Sequence, residues 1–140
     1  DRLLALLGVE GPGALFPSPA ALADADLSAL AMPAARSQTI RTLAAAVADG
    51  RLDLEAPTEE VRARLLALRG IGPWTADYVA MRGLKDRDAF PAGDLVVRQA
   101  LAGGSRKLPS EAEVRARAEA WRPLRAYAAL HLWASVGAGG

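Results

Sequence analysis

The chain has 140 residues, 51% of them apolar, and its 17 basic and 16 acidic side chains leave a net charge of +1. It has no cysteine and a single histidine, His131, which excludes disulfides, thiolate zinc sites, cysteine-ligated iron–sulfur clusters and any multi-histidine metal centre. The near-neutral balance gives no bulk electrostatic sign of a nucleic-acid partner, and fifteen arginines against two lysines (Lys85, Lys107) carry little weight in so Ala- and Gly-rich a chain.

Alanine dominates the apolar residues while β-branched and aromatic residues are scarce, so helix is favoured over sheet. The length suits one domain. No apolar run approaches the ~20 residues that span a bilayer, and Asp1–Leu7 is too short for a signal peptide. A soluble, cytoplasmic protein is expected.

In chain order, Asp1–Leu7 reads as the tail of a helix ended by Gly8. Ser18-Pro19 is an N-cap followed by proline at the first helical position, and Asp26 repeats the capping signal. Pro33 opens a longer helix whose apolar positions are Ile40, Leu43, Ala44 and Val47, with Gly50 as its stop. Thr58 is expected to cap the next helix, which carries Glu59 and Glu60 in its first turn and Val61, Leu65 and Leu68 on its inner face. Gly70 ends it, and Gly72-Pro73 starts a helix running to about Arg82 and Gly83. A further helix follows Asp94, and Gly103-Gly104-Ser105 breaks the chain. Ser110 and Glu113 form a capping box, and a last helix begins near Pro123. The expectation is a single all-α domain over residues 1–140, with about eight helices and a helix–hairpin–helix over about residues 58–82.

Gly70-Ile71-Gly72 is the most telling segment. Two glycines around one apolar residue permit positive φ angles and close backbone approach, with Ile71 tucked under the turn. Exposed amides there and in the first turn of the next helix form an anion site that needs no lysine. The plain alternative is an ordinary helix–helix connection. Asp94, twenty residues beyond Trp74, is a natural N-cap for the helix it precedes; the same position would keep a carboxylate ionised for chemistry. Trp74, Tyr78 and Met81 share one helix face, and such a stripe is either core or a stacking surface. Trp121 reads as packing, and His131 as buried and hydrogen-bonded. Lys85-Asp86-Arg87-Asp88 reads as a solvated turn. Arg98 is placed either to touch phosphate or to form a surface salt bridge.

The run Leu68-Arg69-Gly70-Ile71-Gly72-Pro73-Trp74-Thr75-Ala76 resembles the hairpin signature of the helix-hairpin-helix DNA glycosylases. Further blocks, including Ala31-Met32-Pro33, Met81-Arg82-Gly83, Asp94–Gln99 and Tyr127–Trp133, resemble the 3-methyladenine DNA glycosylase II branch in order and spacing. The resemblance runs from about Phe16 to the C-terminus. It implies that Asp94 is catalytic, stabilising oxocarbenium character at C1′ and orienting or deprotonating water. It also implies that Trp74, Tyr78 and Trp133 line a base pocket, and that Gly70, Ile71, Gly72, Thr75 and Arg98 meet DNA phosphate. A lyase branch carries lysine where Trp74 stands, and tryptophan cannot form a Schiff base. A monofunctional enzyme excising alkylated purines from duplex DNA is therefore expected, acting as a monomer and away from membranes.

No organic cofactor is implied, although a monovalent cation on the backbone carbonyls of Leu68 and Ile71 is. Family members carry further upstream helices bearing the wedge residue, so the chain is expected to be part of a larger glycosylase domain. Two alternatives stay open: a non-catalytic helix-hairpin-helix module, and a helical interaction domain with an incidental turn.

Overall fold

A computed structural model describes residues 16–137, and every regular element among them is helical. The expected helix at Asp1–Leu7 lies outside the described residues. The chain forms two compact units, residues 1–71 and 72–140, and passes from one to the other between Ile71 and Gly72. No linker marks this boundary, which falls inside the hairpin itself.

In the first unit, α1 (Pro19–Asp24) starts where Ser18 Oγ accepts the Ala21 amide at 3.2 Å, as the Ser-Pro signal predicts. Asp26 Oδ1 accepts the Ser28 amide at 3.0 Å, but the cap position of the 3-10 turn Ser28–Leu30 is Leu27, with no side-chain cap. Helix α2 (Ala34–Ala48) packs on α1, and Arg41 Nε ties the pair by donating to the Ala23 carbonyl at 3.0 Å. The buried positions of α2 are Ala44 and Ala46, while Ile40, Leu43 and Val47 are half-buried. An alanine-rich helix has no sharp apolar stripe, and its small side chains permit the closest approach, so the predicted face is only partly right. Helix α3 (Thr58–Leu66) buries Val61 and Leu65 completely, with Leu68 half-buried beyond its end. Thr58 is not its cap. The cap position is Pro57, which has no side-chain hydrogen bond, and Thr58 is already helical; Glu59 and Glu60 stand in the first turn as expected.

The second unit holds α4 (Pro73–Arg82), α5 (Leu95–Ala102), α6 (Glu111–Ala118), a 3-10 turn (Glu119–Trp121) and α7 (Arg125–Gly137). Its core joins Met81 and Phe90 to Val97, Val114, Ala118, Ala126 and Ala129, and α5 lies against α7. Phe90 and Trp121 pack with ring centroids 5.8 Å apart, the structural role expected of Trp121. Ser110 and Glu113 form both halves of the capping box.

Two expectations fail here. His131 is exposed rather than buried, because its neighbours Ala129 and Leu132 take the inward positions of α7. The Lys85–Asp88 stretch is more than a solvated turn. Asp88 accepts from Arg125 Nε and Nη2 at 2.8 and 2.9 Å and from Arg122, and the Arg87 carbonyl accepts the Ala126 amide at 2.9 Å. This clamp fixes the start of α7, two residues later than Pro123 implies. The pairing partners lie 34–37 residues away in sequence, beyond the reach of local reading.

Candidate active site

The hairpin falls half in each unit. On the first-unit side, Gly70 has φ +93°, and a Cβ there would lie 2.0 Å from Thr39 Oγ1. Backbone handedness and lack of space both demand glycine. Ile71 is buried, as expected, and its amide donates to the Leu68 carbonyl at 3.1 Å. The Ile71 amide is thus already used, and Gly70 rather than Ile71 keeps a free N–H on this side. The Ile71 carbonyl accepts no hydrogen bond from the described residues, whereas that of Leu68 retains one lone pair.

On the second-unit side, Gly72 is the N-cap of α4 with extended rather than positive φ (−98°), and a Cβ on it would meet nothing within 4 Å. Only one of the two glycines therefore takes the left-handed conformation. The first helical bond runs from Ala76 N–H to Gly72 O at 3.0 Å. With no side-chain cap and Pro73 at the first position, the amides of Trp74 and Thr75 have no partner among the described residues and lie at the positive end of the helix dipole. Such an arrangement can receive an anion.

Asp94 is the N-cap of α5, with Oδ1 accepting the Val97 amide at 3.0 Å. The capping reading and the functional reading converge on this residue. Trp74 Nε1 donates to its Oδ2 at 2.7 Å, and Trp133 Nε1 to its Oδ1 at 3.0 Å. Asp94 is buried. Burial pushes its carboxyl upward, but the Val97 amide, the two indoles and the Val96 amide outweigh it and hold Asp94 below the ordinary carboxylate range. A carboxylate so dressed is a fixed negative charge and a weak base.

Trp74, Tyr78 and Trp133, the residues the resemblance implied, come together. Trp74 and Tyr78 stack at 5.5 Å, and Tyr78 and Trp133 lie tilted at 6.0 Å. A base inserted between two rings needs them about 7 Å apart, twice the ~3.4 Å stacking rise. Neither pair leaves that gap, so the rings form one continuous aromatic surface, with Trp74 46% and Tyr78 38% exposed. Met81 belongs to the core instead. Arg98 makes no salt bridge among the described residues; its Nε donates to the Pro109 carbonyl at 2.8 Å. Sequence reasoning missed Asp77 and Arg115. Asp77 is 5% exposed on α4, and Arg115 Nη2 lies 3.8 Å from it.

A described bacterial relative aligns over most of this chain. It is 49% identical over 126 residues, covering 86% of this chain and 25% of a Mycobacterium tuberculosis protein named "Probable bifunctional transcriptional activator/DNA repair enzyme AlkA". DNA-3-methyladenine glycosylase 2 of Escherichia coli is 39% identical over 127 residues, covering 87% of this chain and 43% of its own length. The chain belongs to the helix-hairpin-helix 3-methyladenine DNA glycosylase family. No protein-family model matches it. The fold agrees: the Schizosaccharomyces pombe 3-methyladenine DNA glycosylase Mag1, solved in complex with abasic DNA, superposes with a TM-score of 0.80 at 26% identity, covering 94% of this chain and 68% of that one. The chain spans less than half the length of the two curated glycosylase-family relatives.

Proposed function

We propose that this chain is the helix-hairpin-helix region of a monofunctional DNA glycosylase that hydrolyses the N-glycosidic bond of alkylated purines, such as 3-methyladenine, in duplex DNA. The observation that carries the reading is the Asp94 carboxylate, held ionised at a helix N-terminus between two indole N–H groups. A module that only binds DNA backbone needs no such buried charge.

The target nucleotide leaves the stack and its electron-poor base lies on the Trp74–Tyr78–Trp133 surface, held by stacking and cation–π attraction. As the C1′–N bond stretches, C1′ gains oxocarbenium character. Asp94 stabilises that charge. Its depressed pKa favours this electrostatic part over proton abstraction: an oxocarbenium ion is electrophile enough for weakly activated water. The base departs with the bonding pair, water adds to C1′ and loses its proton to solvent, and an abasic site remains. Alkylation already makes the base a good leaving group, so no dedicated acid is required.

Phosphate is assigned to the Gly72, Trp74 and Thr75 amides at the start of α4. Arg98 adds charge through the nitrogens it does not give to Pro109. A monovalent cation suits the neutral carbonyls of Leu68 and Ile71, of which the Ile71 oxygen is free to coordinate. No helix among the described residues is long and apolar enough to cross a membrane. The reading takes the protein as a monomeric repair enzyme working on DNA in the cytoplasm.

The test is release of free base from methylated duplex DNA, with Asp94→Asn beside the parent. Release that persists undiminished in Asp94→Asn overturns the catalytic reading. Strand cleavage by the parent protein overturns the monofunctional one.

A further inference from the structure

The hydrogen bond between Trp74 Nε1 and Asp94 Oδ2 has a support behind each end, and both supports meet on one nitrogen. Asp77 lies one turn beyond Trp74 on α4, with its side chain 7% exposed, and its Oδ2 is 3.8 Å from Arg115 Nη2. The same Nη2 donates to Glu111 Oε1 at 2.6 Å. The other oxygen of Glu111 lies beside Gly93, the residue immediately before Asp94: a Cβ on Gly93 would lie 3.2 Å from Glu111 Oε2. Asp77, Arg115 and Glu111 thus link α4, the helix that carries Trp74, to the turn that carries Asp94, and the Trp74–Asp94 bond completes the ring. Every member lies within residues 72–140.

We propose that Arg115 is a positioning residue for Asp94, locking the α4 turn that carries Trp74 to the Gly93–Asp94 turn. The inference rests on the glycosylase reading of Asp94. The chemistry favours this assignment over an idle surface ion pair. Asp77 is a buried carboxylate, and Arg115 is one of the groups that face it. Glu111 and Arg115 stand four residues apart on α6, where the pair forms readily and holds the guanidinium still. The planar guanidinium serves two carboxylates from a fixed geometry, which a single ammonium reproduces less well. A carboxylate that must face C1′ gains from such support, because a displacement near 1 Å can cost about 100-fold in rate.

The test uses Arg115→Met, Arg115→Lys and Glu111→Gln in the full chain. The three indole N–H resonances in a nitrogen-15 spectrum belong to Trp74, Trp121 and Trp133. Arg115→Met is expected to move the Trp74 resonance and leave Trp121 unchanged, since Trp121 packs on Phe90 outside the ring of contacts. Single-turnover base release should fall about 10-fold while affinity for duplex DNA stays within about two-fold. Arg115→Lys should recover part of the rate, and Glu111→Gln should give a smaller shift in the same direction.

An unmoved Trp74 resonance in Arg115→Met overturns the proposal, as does equal displacement of all three indoles. Should Arg115→Met fail to fold, Glu111→Gln on the exposed first turn decides the matter by the same resonance. The spectrum is independent of turnover. A moved Trp74 signal in a chain that releases no base supports the positioning role while removing the glycosylase reading.

Discussion

At the scale of single residues, Asp94 is both a helix cap and a candidate catalytic charge, and its hydrogen bonds make the two roles separable. Its folded pKa is depressed, with burial opposed and outweighed by the Val97 amide and the indoles of Trp74 and Trp133. A depressed carboxylate contributes stability that is fully present above its unfolded pKa, near 3.9, and lost as pH falls through the folded value. Denaturant unfolding at a series of pH values should show that loss beginning below about pH 4 and absent in Asp94→Asn. The acid limb of the base-release profile should also lie below about pH 4; a limb near neutrality would mark a general base of raised pKa instead. Trp74→Phe isolates the indole N–H, since it keeps a stacking ring and deletes one hydrogen bond to a carboxylate, a bond worth about 1.5–3 kcal/mol. Release should slow at least tenfold while the fold and DNA affinity persist. Unchanged release in Trp74→Phe would mean the bond is incidental.

At the scale of elements, the two hairpin glycines do different work. Gly70 is required by the fold, with φ +93° and Thr39 Oγ1 in the space a Cβ would take. Gly70→Ala should therefore destabilise by more than about 1 kcal/mol, read as a lowered denaturation midpoint. Gly72 has ordinary φ and open space around it. Gly72→Ala should fold normally and lose DNA affinity, since the methyl group would enter the space assigned to phosphate. A fully active Gly72→Ala would remove α4's N-terminus from the DNA interface. Much of this was legible in the sequence. Capping boxes, glycine stops and the Asp94 cap are local chemistry, and Ser18, Ser110 and Asp94 cap as read. Thr58 was misread because Pro57 fixes the chain one residue earlier. The site was legible as a set of residues and illegible as a geometry. The bonds from Trp74 and Trp133 to Asp94 span 20 and 39 residues, and no periodicity reports them. Arg115 and Asp77 went unread for the same reason, since their contact spans 38 residues of sequence.

At the scale of the whole molecule, the near-neutral net charge conceals an uneven distribution. Residues 72–140 carry ten basic and seven acidic side chains, against seven and nine in residues 1–71. Four of those ten are already committed in unit 2: Arg115 to acids on its own face, Arg122 and Arg125 to Asp88 and Glu119, and Arg98 in part to Pro109. The other six displace counterions only where they face the duplex, and the α4 cradle meets phosphate with neutral amides. Each phosphate neutralised contributes about −0.9 to the slope of log K against log salt. The slope here should be shallower than about −3, so affinity falls by less than about 60-fold between 50 and 200 mM salt. Fluorescence anisotropy of a labelled duplex across that range measures it. A slope of about −6 or steeper would show a cationic track along the backbone and displace the amide cradle as the main grip. A shallow slope that Gly72→Ala leaves unaltered while weakening binding would place the lost affinity in the uncharged contacts, where the free amides of Trp74 and Thr75 put it.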